Sequence, residues 1–295
     1  MRNNKHRLIY GLFSIIFVVI VIGKYVIVAQ TTNTGDWKAD TRTEKKEKDG
    51  EIYLSFERNN ENGYQNQFGS SFAYKDLQGL TREQAQNGKV KFRLVREAGT
   101  IDCDGEFING SGSGSFIFTP NPAFISGMQG RGYTLSYEKQ FASTTLDLTL
   151  GFVDDLKSVG FADLSLDDLF KARIFNITPQ FMAEMKATGF PDLDMEDLVK
   201  ARIFKIDAEY VRQVRDMGLE SKGFESLVKL RIFKVTPEFL AELKGEGFTN
   251  LSSEDVVKFR IFNIDREFIR KAKAEDPNIT VEDLVRMKIG VHRIT

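Results

Sequence analysis

The chain has 295 residues, with 41 Lys and Arg against 42 Asp and Glu and a formal net charge of −1. That length suits about two domains, and the balanced charge gives no electrostatic pull on nucleic acid. Cys103 is the only cysteine, which excludes an intrachain disulfide.

At the N-terminus Arg2, Lys5 and Arg7 precede an apolar run from Leu8 to Gly23, and Tyr25–Ala29 follow Lys24. Positive charge ahead of an apolar run keeps that end cytoplasmic and sends the remainder across the membrane. Residues 1–29 fit either a signal peptide cleaved after Ala29 or a single-pass anchor that meets the membrane through residues 8–29. Both place residues 30–295 outside the cytoplasm, in the periplasm or at the cell surface. Residues 30–50 are polar and unpatterned, as in a flexible linker. Trp37 interrupts them, and can sit at the membrane interface or pack on the next domain.

Residues 51–120 alternate with period two. Ile52, Leu54 and Phe56 share one face, as do Val90, Phe92 and Leu94, then Ile101, Cys103 and Phe107, then Phe116 and Phe118. Strands broken by Gly, Asn and Ser turns predict a small β-rich domain. Thr81-Arg82-Glu83-Gln84 has the form of a capping box and predicts one short helix. Gly110–Ser115 reads as a flexible hairpin or bulge, because a strand follows it where a phosphate loop needs Lys-Ser/Thr and a helix. Cys103 reads as a small buried residue. Alternation places Asp102 and Asp104 on the opposite face, and two carboxylates are too few for a calcium site.

From here a 29-residue period governs the chain. Arg173-Ile174-Phe175 returns as Arg202-Ile203-Phe204, Arg231-Ile232-Phe233 and Arg260-Ile261-Phe262. A period of this size marks a supersecondary unit stacked on its copies. Each unit reads as two helices. The first is capped at Thr149, Thr178, Asp207, Thr236 or Asp265, with Pro179 and Pro237 at the first helical position. Gly160, Gly189, Gly218 and Gly247 stand where a left-handed C-terminal cap is wanted, followed by Phe161, Phe190, Leu219 and Phe248. The second helix is capped at Ser165, Asp194, Ser252 or Thr280. Asp167–Lys171, Glu196–Lys200, Glu225–Lys229, Glu254–Lys258 and Glu282–Arg286 have the acid-then-base order that supports a helix at i,i+4. Lys222-Gly223 breaks the pattern and predicts a looser turn. Lys288-Ile289-Gly290-Val291 is one residue short and lacks the Phe, which suits a terminal unit.

The period extends backwards. Asn121-Pro122-Ala123-Phe124 with Met128, Gly132 and Tyr133 matches Thr178–Phe190, so residues 121–148 form a degenerate first repeat before five αα repeats in 149–295. The expected fold class is α+β: a transmembrane or signal helix, a small mainly-β domain (51–120) and a C-terminal α-helical solenoid.

The sequence offers no catalytic, metal-binding or cofactor-binding constellation. His6 and His292 are the only histidines, and no His-Glu-x-x-His pair exists. Residues 149–295 carry 23 Lys and Arg against 26 Asp and Glu, a net of −3, unlike a basic nucleic-acid-reading array. Arg173, Arg202, Arg231 and Arg260 are the candidate partner-binding residues. Stacking would align them as a ladder that either serves the helix C-termini or offers guanidinium forks to carboxylates or phosphates. The Ile-Phe beside each Arg reads as core between units.

Phe92–Ile101, Gly105-Glu106-Phe107, Gly112–Pro122 and the Gly-Phe/Leu, Arg-Ile-Phe repeat together resemble a class of bacterial envelope proteins. Similar segments form the extracytoplasmic tail of membrane metallopeptidases of the BlaR1 sensor type. The likeness covers roughly residues 50–295 and omits the peptidase part. It implies an accessory or sensing tail without catalysis. The functional expectation is therefore a non-enzymatic binding or scaffold module for a protein or envelope ligand. A sensor subunit of an envelope peptidase or signalling system is the alternative, and an unrecognised hydrolase the second.

Overall fold

A computed structural model describes residues 33–41, 50–59, 65–160, 163–190, 192–219 and 223–290. The signal or anchor segment 1–29, most of the 30–50 stretch, Phe161, Lys222, Val291 and His292 lie outside the described residues. Among the described residues no helix is long and apolar enough to cross a membrane. The described residues form an α+β fold, a curled seven-stranded antiparallel sheet followed by twelve helices.

The strands are β1 (Thr34–Asp40), β2 (Glu51–Asn59), β3 (Gln65–Ala73), β4 (Leu77–Gln78), β5 (Gly88–Arg96), β6 (Gly99–Ile108) and β7 (Ser111–Pro120). Their spatial order is β3-β2-β1-β7-β6-β5-β4. The predicted alternation holds: Ile52, Leu54, Phe56, Val90, Phe92, Leu94, Ile101, Cys103, Phe107, Phe116 and Phe118 are all buried on one face. Opposite them, Asp102 pairs with Arg93 (2.5 Å) and Asp104 with Lys91 (2.8 Å).

Three expectations need correction here. Part of the presumed linker is the interior strand β1, paired on both sides, and Trp37 within it is fully buried. Its ring meets Phe92 and Phe107 with centroids 5.1 and 5.6 Å apart, and Nε1 donates to the Asp104 carbonyl at 3.2 Å. Only the first residue of the Gly-Ser run is in a turn: Asn109-Gly110, both at positive φ, make the two-residue hairpin, and Ser111–Ser115 are strand interior. Gly105 and Gly114 face each other across β6 and β7 and leave room for the indole. A Cβ on Gly105 would lie 2.7 Å from Trp37 Cζ2, and one on Gly114 2.8 Å from Nε1. Thr81–Gln84 makes both capping-box hydrogen bonds (2.9 and 3.3 Å) but closes only a turn, because no helix continues beyond it.

The helices are α1 (Pro122–Gly130), α2 (Tyr137–Thr145), α3 (Leu150–Ser158), α4 (Leu166–Ile174), α5 (Pro179–Lys186), α6 (Met195–Phe204), α7 (Ala208–Asp216), α8 (Phe224–Ile232), α9 (Pro237–Gly245), α10 (Ser253–Ile261), α11 (Arg266–Glu275) and α12 (Val281–Lys288). From α3 to α11 the odd-numbered helices begin at 150, 179, 208, 237 and 266, in steps of 29. Thr149, Thr178, Asp207, Thr236 and Asp265 each accept a hydrogen bond from the backbone three residues on. Ser165, Asp194, Ser252 and Thr280 do the same for α4, α6, α10 and α12. Each such cap stabilises its helix by about 1 kcal/mol. At α8 the N-cap is Gly223, which has no side chain to accept that bond.

Alternate helices are neighbours: α4 with α6, α6 with α8, α8 with α10, α10 with α12, and likewise α1 with α3 and α3 with α5. One apolar core runs through the helices, from Phe124 to Val285. The sheet has its own core, and α2 bridges the two. Phe141 inserts among Phe56, Phe116 and Phe118 at 5.2–5.9 Å between centroids. The small sheet thus gains a helical cover for its apolar face, as a core of that size requires.

Candidate interaction surface

The four ladder arginines stand in the last turns of α4, α6, α8 and α10, and each reaches back to a helix end one unit earlier. Arg173 donates Nε to the Leu146 carbonyl (2.7 Å) and meets Asp147 at 3.4 Å. Arg202 donates to the Asn176 carbonyl (2.6 Å), and Arg231 to those of Phe204 (3.1 Å) and Lys205 (2.9 Å). Arg260 donates to the Lys234 carbonyl (3.1 Å). Those ends turn through left-handed residues, Asp147, Asn176, Lys205 and Lys234, as the end of α10 does at Asn263. A helix C-terminus carries orphan carbonyls and a partial negative charge, so a cation there satisfies both. Each guanidinium also lies over the third helical residue of an odd-numbered helix: Phe152 (5.1 Å), Phe181 (3.7 Å), Tyr210 (4.4 Å) and Phe239 (3.7 Å). Desolvation lowers the proton affinity of Arg202, and burial pushes the Tyr210 hydroxyl up to about 12. An arginine remains charged under such a shift. The forks are therefore directed inward, onto carbonyls and rings of the same chain.

A second basic column went unnoticed in the sequence, although it keeps the same step: Lys157, Lys186, Arg215, Lys244 and Lys273. Lys157 donates to the Arg131 carbonyl (3.1 Å), Arg215 to that of Thr188, and Lys273 to that of Glu246 (2.5 Å). Lys157 and Lys273 also lie over Tyr133 and Phe248, at 4.8 and 4.6 Å. These acceptors adjoin the left-handed glycines Gly132, Gly189 and Gly247. The signal was a cation a few residues before each mid-unit glycine, on the odd-numbered helix after the one it serves.

The charge rows also differ from expectation. In place of i,i+4 pairs, lysines reach the acid of the next even-numbered helix: Lys139 to Asp167, Lys171 to Glu196, Lys200 to Glu225 (3.0 Å) and Lys258 to Glu282. The acid partner is the main reason that Lys171, Lys200 and Lys258 hold their protons more tightly than usual. Neighbouring even-numbered helices bring these side chains together. Such exposed pairs each contribute at most about 1 kcal/mol.

The isoleucines carry the main correction. Phe175, Phe204, Phe233 and Phe262 pack against the core, half-buried, as the reading of the Ile-Phe pair required. Ile174, Ile203, Ile232 and Ile261 do not. They and Ile289 are 39% to 58% exposed. A helix turns 100° per residue, so an Arg directed at the preceding unit and a Phe directed at the core leave the residue between them facing water. Single exposed apolar residues are ordinary, but a row repeated on successive neighbouring helices is a surface feature.

Elsewhere, Cys103 is buried on β6, and desolvation pushes its thiol far above the ordinary value. A groove of about 460 Å³ between α9 and α11 is lined by Glu238, Glu242, Arg260 and Arg266, with no Ser, Cys or His among its lining residues. Among the described residues no three His, Cys, Asp or Glu side chains are grouped to hold a metal ion. Compared with models of known protein families and with curated proteins, the chain finds no match.

Proposed function

We propose that this chain is a non-enzymatic binding or scaffold module, tethered to or exported across a membrane. Its helical units stack as an α-solenoid and offer the isoleucine row to a protein or envelope partner. The exposed row Ile174, Ile203, Ile232, Ile261 and Ile289 carries this reading. The common step of helix starts, the contacts between alternate helices and the cations that reach from each unit into the one before support stacking. Stacked units give extended surfaces suited to recognition. The ladder arginines serve the array, and the partner meets the side chains between them. The basic and apolar N-terminal pattern supports the placement outside the cytoplasm.

The test is the triple variant Ile203→Ser, Ile232→Ser and Ile261→Ser in the tagged full chain. Its partners are captured by cross-linking in native membranes and compared with those of the wild type by mass spectrometry. Because all three positions are exposed, the far-ultraviolet circular dichroism should not change. The expected result is loss of a specific partner with the fold intact. An unchanged set of captured proteins would refute the assignment of this face.

A further inference from the structure

Among the described residues the sheet ends on one side at β4, two residues long, and on the other at β3. An edge strand presents unpaired backbone donors and acceptors, and proteins usually blunt it with shortness, charge, proline or a bulge. β4 uses the first device. β3 uses none: Gln65-Asn66-Gln67-Phe68-Gly69-Ser70-Ser71-Phe72-Ala73 is nine residues long, without charge or proline, and pairs with β2 in unbroken register. The strands β1, β2, β5 and β6 each carry three or more charges. Two other strands are uncharged: β4 has only two residues, and β7 is paired on both sides.

We propose that β3 is a homodimer seam, on which a second copy of this chain lays its own β3 antiparallel across a two-fold axis at Ser70. The strand is nearly symmetric about that residue. Phe68 of one copy falls opposite Phe72 of the other, Gly69 opposite Ser71, and Gln67 opposite Ala73. Phe68, Ser70 and Phe72 share the inner face. Phe72 is buried there against Phe56, with centroids 6.1 Å apart, while Phe68 lies half-buried at the rim of the sheet core. The pairing sets two aromatic cross-strand pairs about the axis, a favourable arrangement in an antiparallel ladder. A shift of the axis to Gly69 would set Phe68 against Ser70 and lose both pairs, so the register is specific. On the outer face the Tyr53 ring lies over Gly69, where a Cβ would come within 2.8 Å of Tyr53 Cζ. No charge meets its like across the axis.

The experiment uses the full chain in detergent, with Ser70→Cys under mild oxidation. Residues directly opposed across antiparallel strands have Cα atoms about 4.5–5.5 Å apart, within the roughly 4.4–6.8 Å that a disulfide spans. The expected product is a disulfide-linked dimer on a non-reducing gel. The wild type, whose only thiol is the buried Cys103, should give none. In sedimentation, Ser71→Lys at an exposed position should keep the fold and weaken the dimer about tenfold, through like charges beside the axis. A monomeric wild type at high concentration would overturn the proposal, as would a dimer indifferent to Ser71→Lys or a Ser70→Cys chain that cross-links to a different protein.

Discussion

Replacing Arg202 by alanine tests whether the ladder belongs to the fold. Arg202 donates to the Asn176 carbonyl at 2.6 Å and stacks 3.7 Å from the Phe181 ring centroid. A hydrogen bond from a charged donor is worth about 1.5–3 kcal/mol, and partial exposure argues for the lower end here. The cation–π contact adds about 0.5–1 kcal/mol, and the charge at a helix C-terminus about 0.3–1 kcal/mol. Because these contributions overlap, Arg202→Ala should destabilise the protein by about 2–3 kcal/mol, measured by urea unfolding. Arg202→Lys keeps the charge but loses the planar fork, and should recover about half. Ile203→Ser, one residue along and exposed, should cost less than about 0.5 kcal/mol. If Arg202→Ala stays within about 0.5 kcal/mol of the wild type, or costs no more than Ile203→Ser, the capping argument is wrong.

Two further outcomes follow from the sheet. Gly114→Ala places a methyl 2.6 Å from Gly105 Cα and 2.8 Å from Trp37 Nε1, and should cost about 2–3 kcal/mol by overpacking, with a red shift of the Trp37 fluorescence. Cys103 should resist aromatic disulfide reagents in the native protein and react at once in urea. Its thiol is raised in the fold from an ordinary value of 9.0, so its contribution to stability is complete below that pH and falls as the pH rises above it, where only the unfolded chain releases the proton. A stability flat across that range in wild type and Cys103→Ala alike would contradict its burial.

The residues that sequence reasoning placed correctly are those whose signal is local. A Ser, Thr or Asp cap and a left-handed Gly act within three or four residues, so Thr178, Ser252 and Gly247 could be read directly. Buried strands declared themselves through large side chains such as Phe92 and Phe118. β1 did not, because its inner face is Gly35, Trp37 and Ala39, and two of these are too small to register as apolar alternation. The ladder arginines were visible as a column, but their acceptors lie 26 or 27 residues back, where only the packing of neighbouring helices decides between inward and outward. The same distance hid the Lys157–Lys273 column. The exposure of the isoleucines followed from that decision and was misread with it.

Where a cation closes a helix end, as Arg202 does at Asn176 and Lys273 at Glu246, it comes from later in the chain. A polypeptide leaving the ribosome therefore cannot satisfy such an end until 26 or 27 further residues have emerged, and these helices are sealed in one direction, from the sheet outward. A truncation between Asn176 and Arg202 would leave the Asn176 end without its cation, while the Leu146 end keeps Arg173. Damage at the far end would fray inward helix by helix, and the sheet would be the last part to feel it.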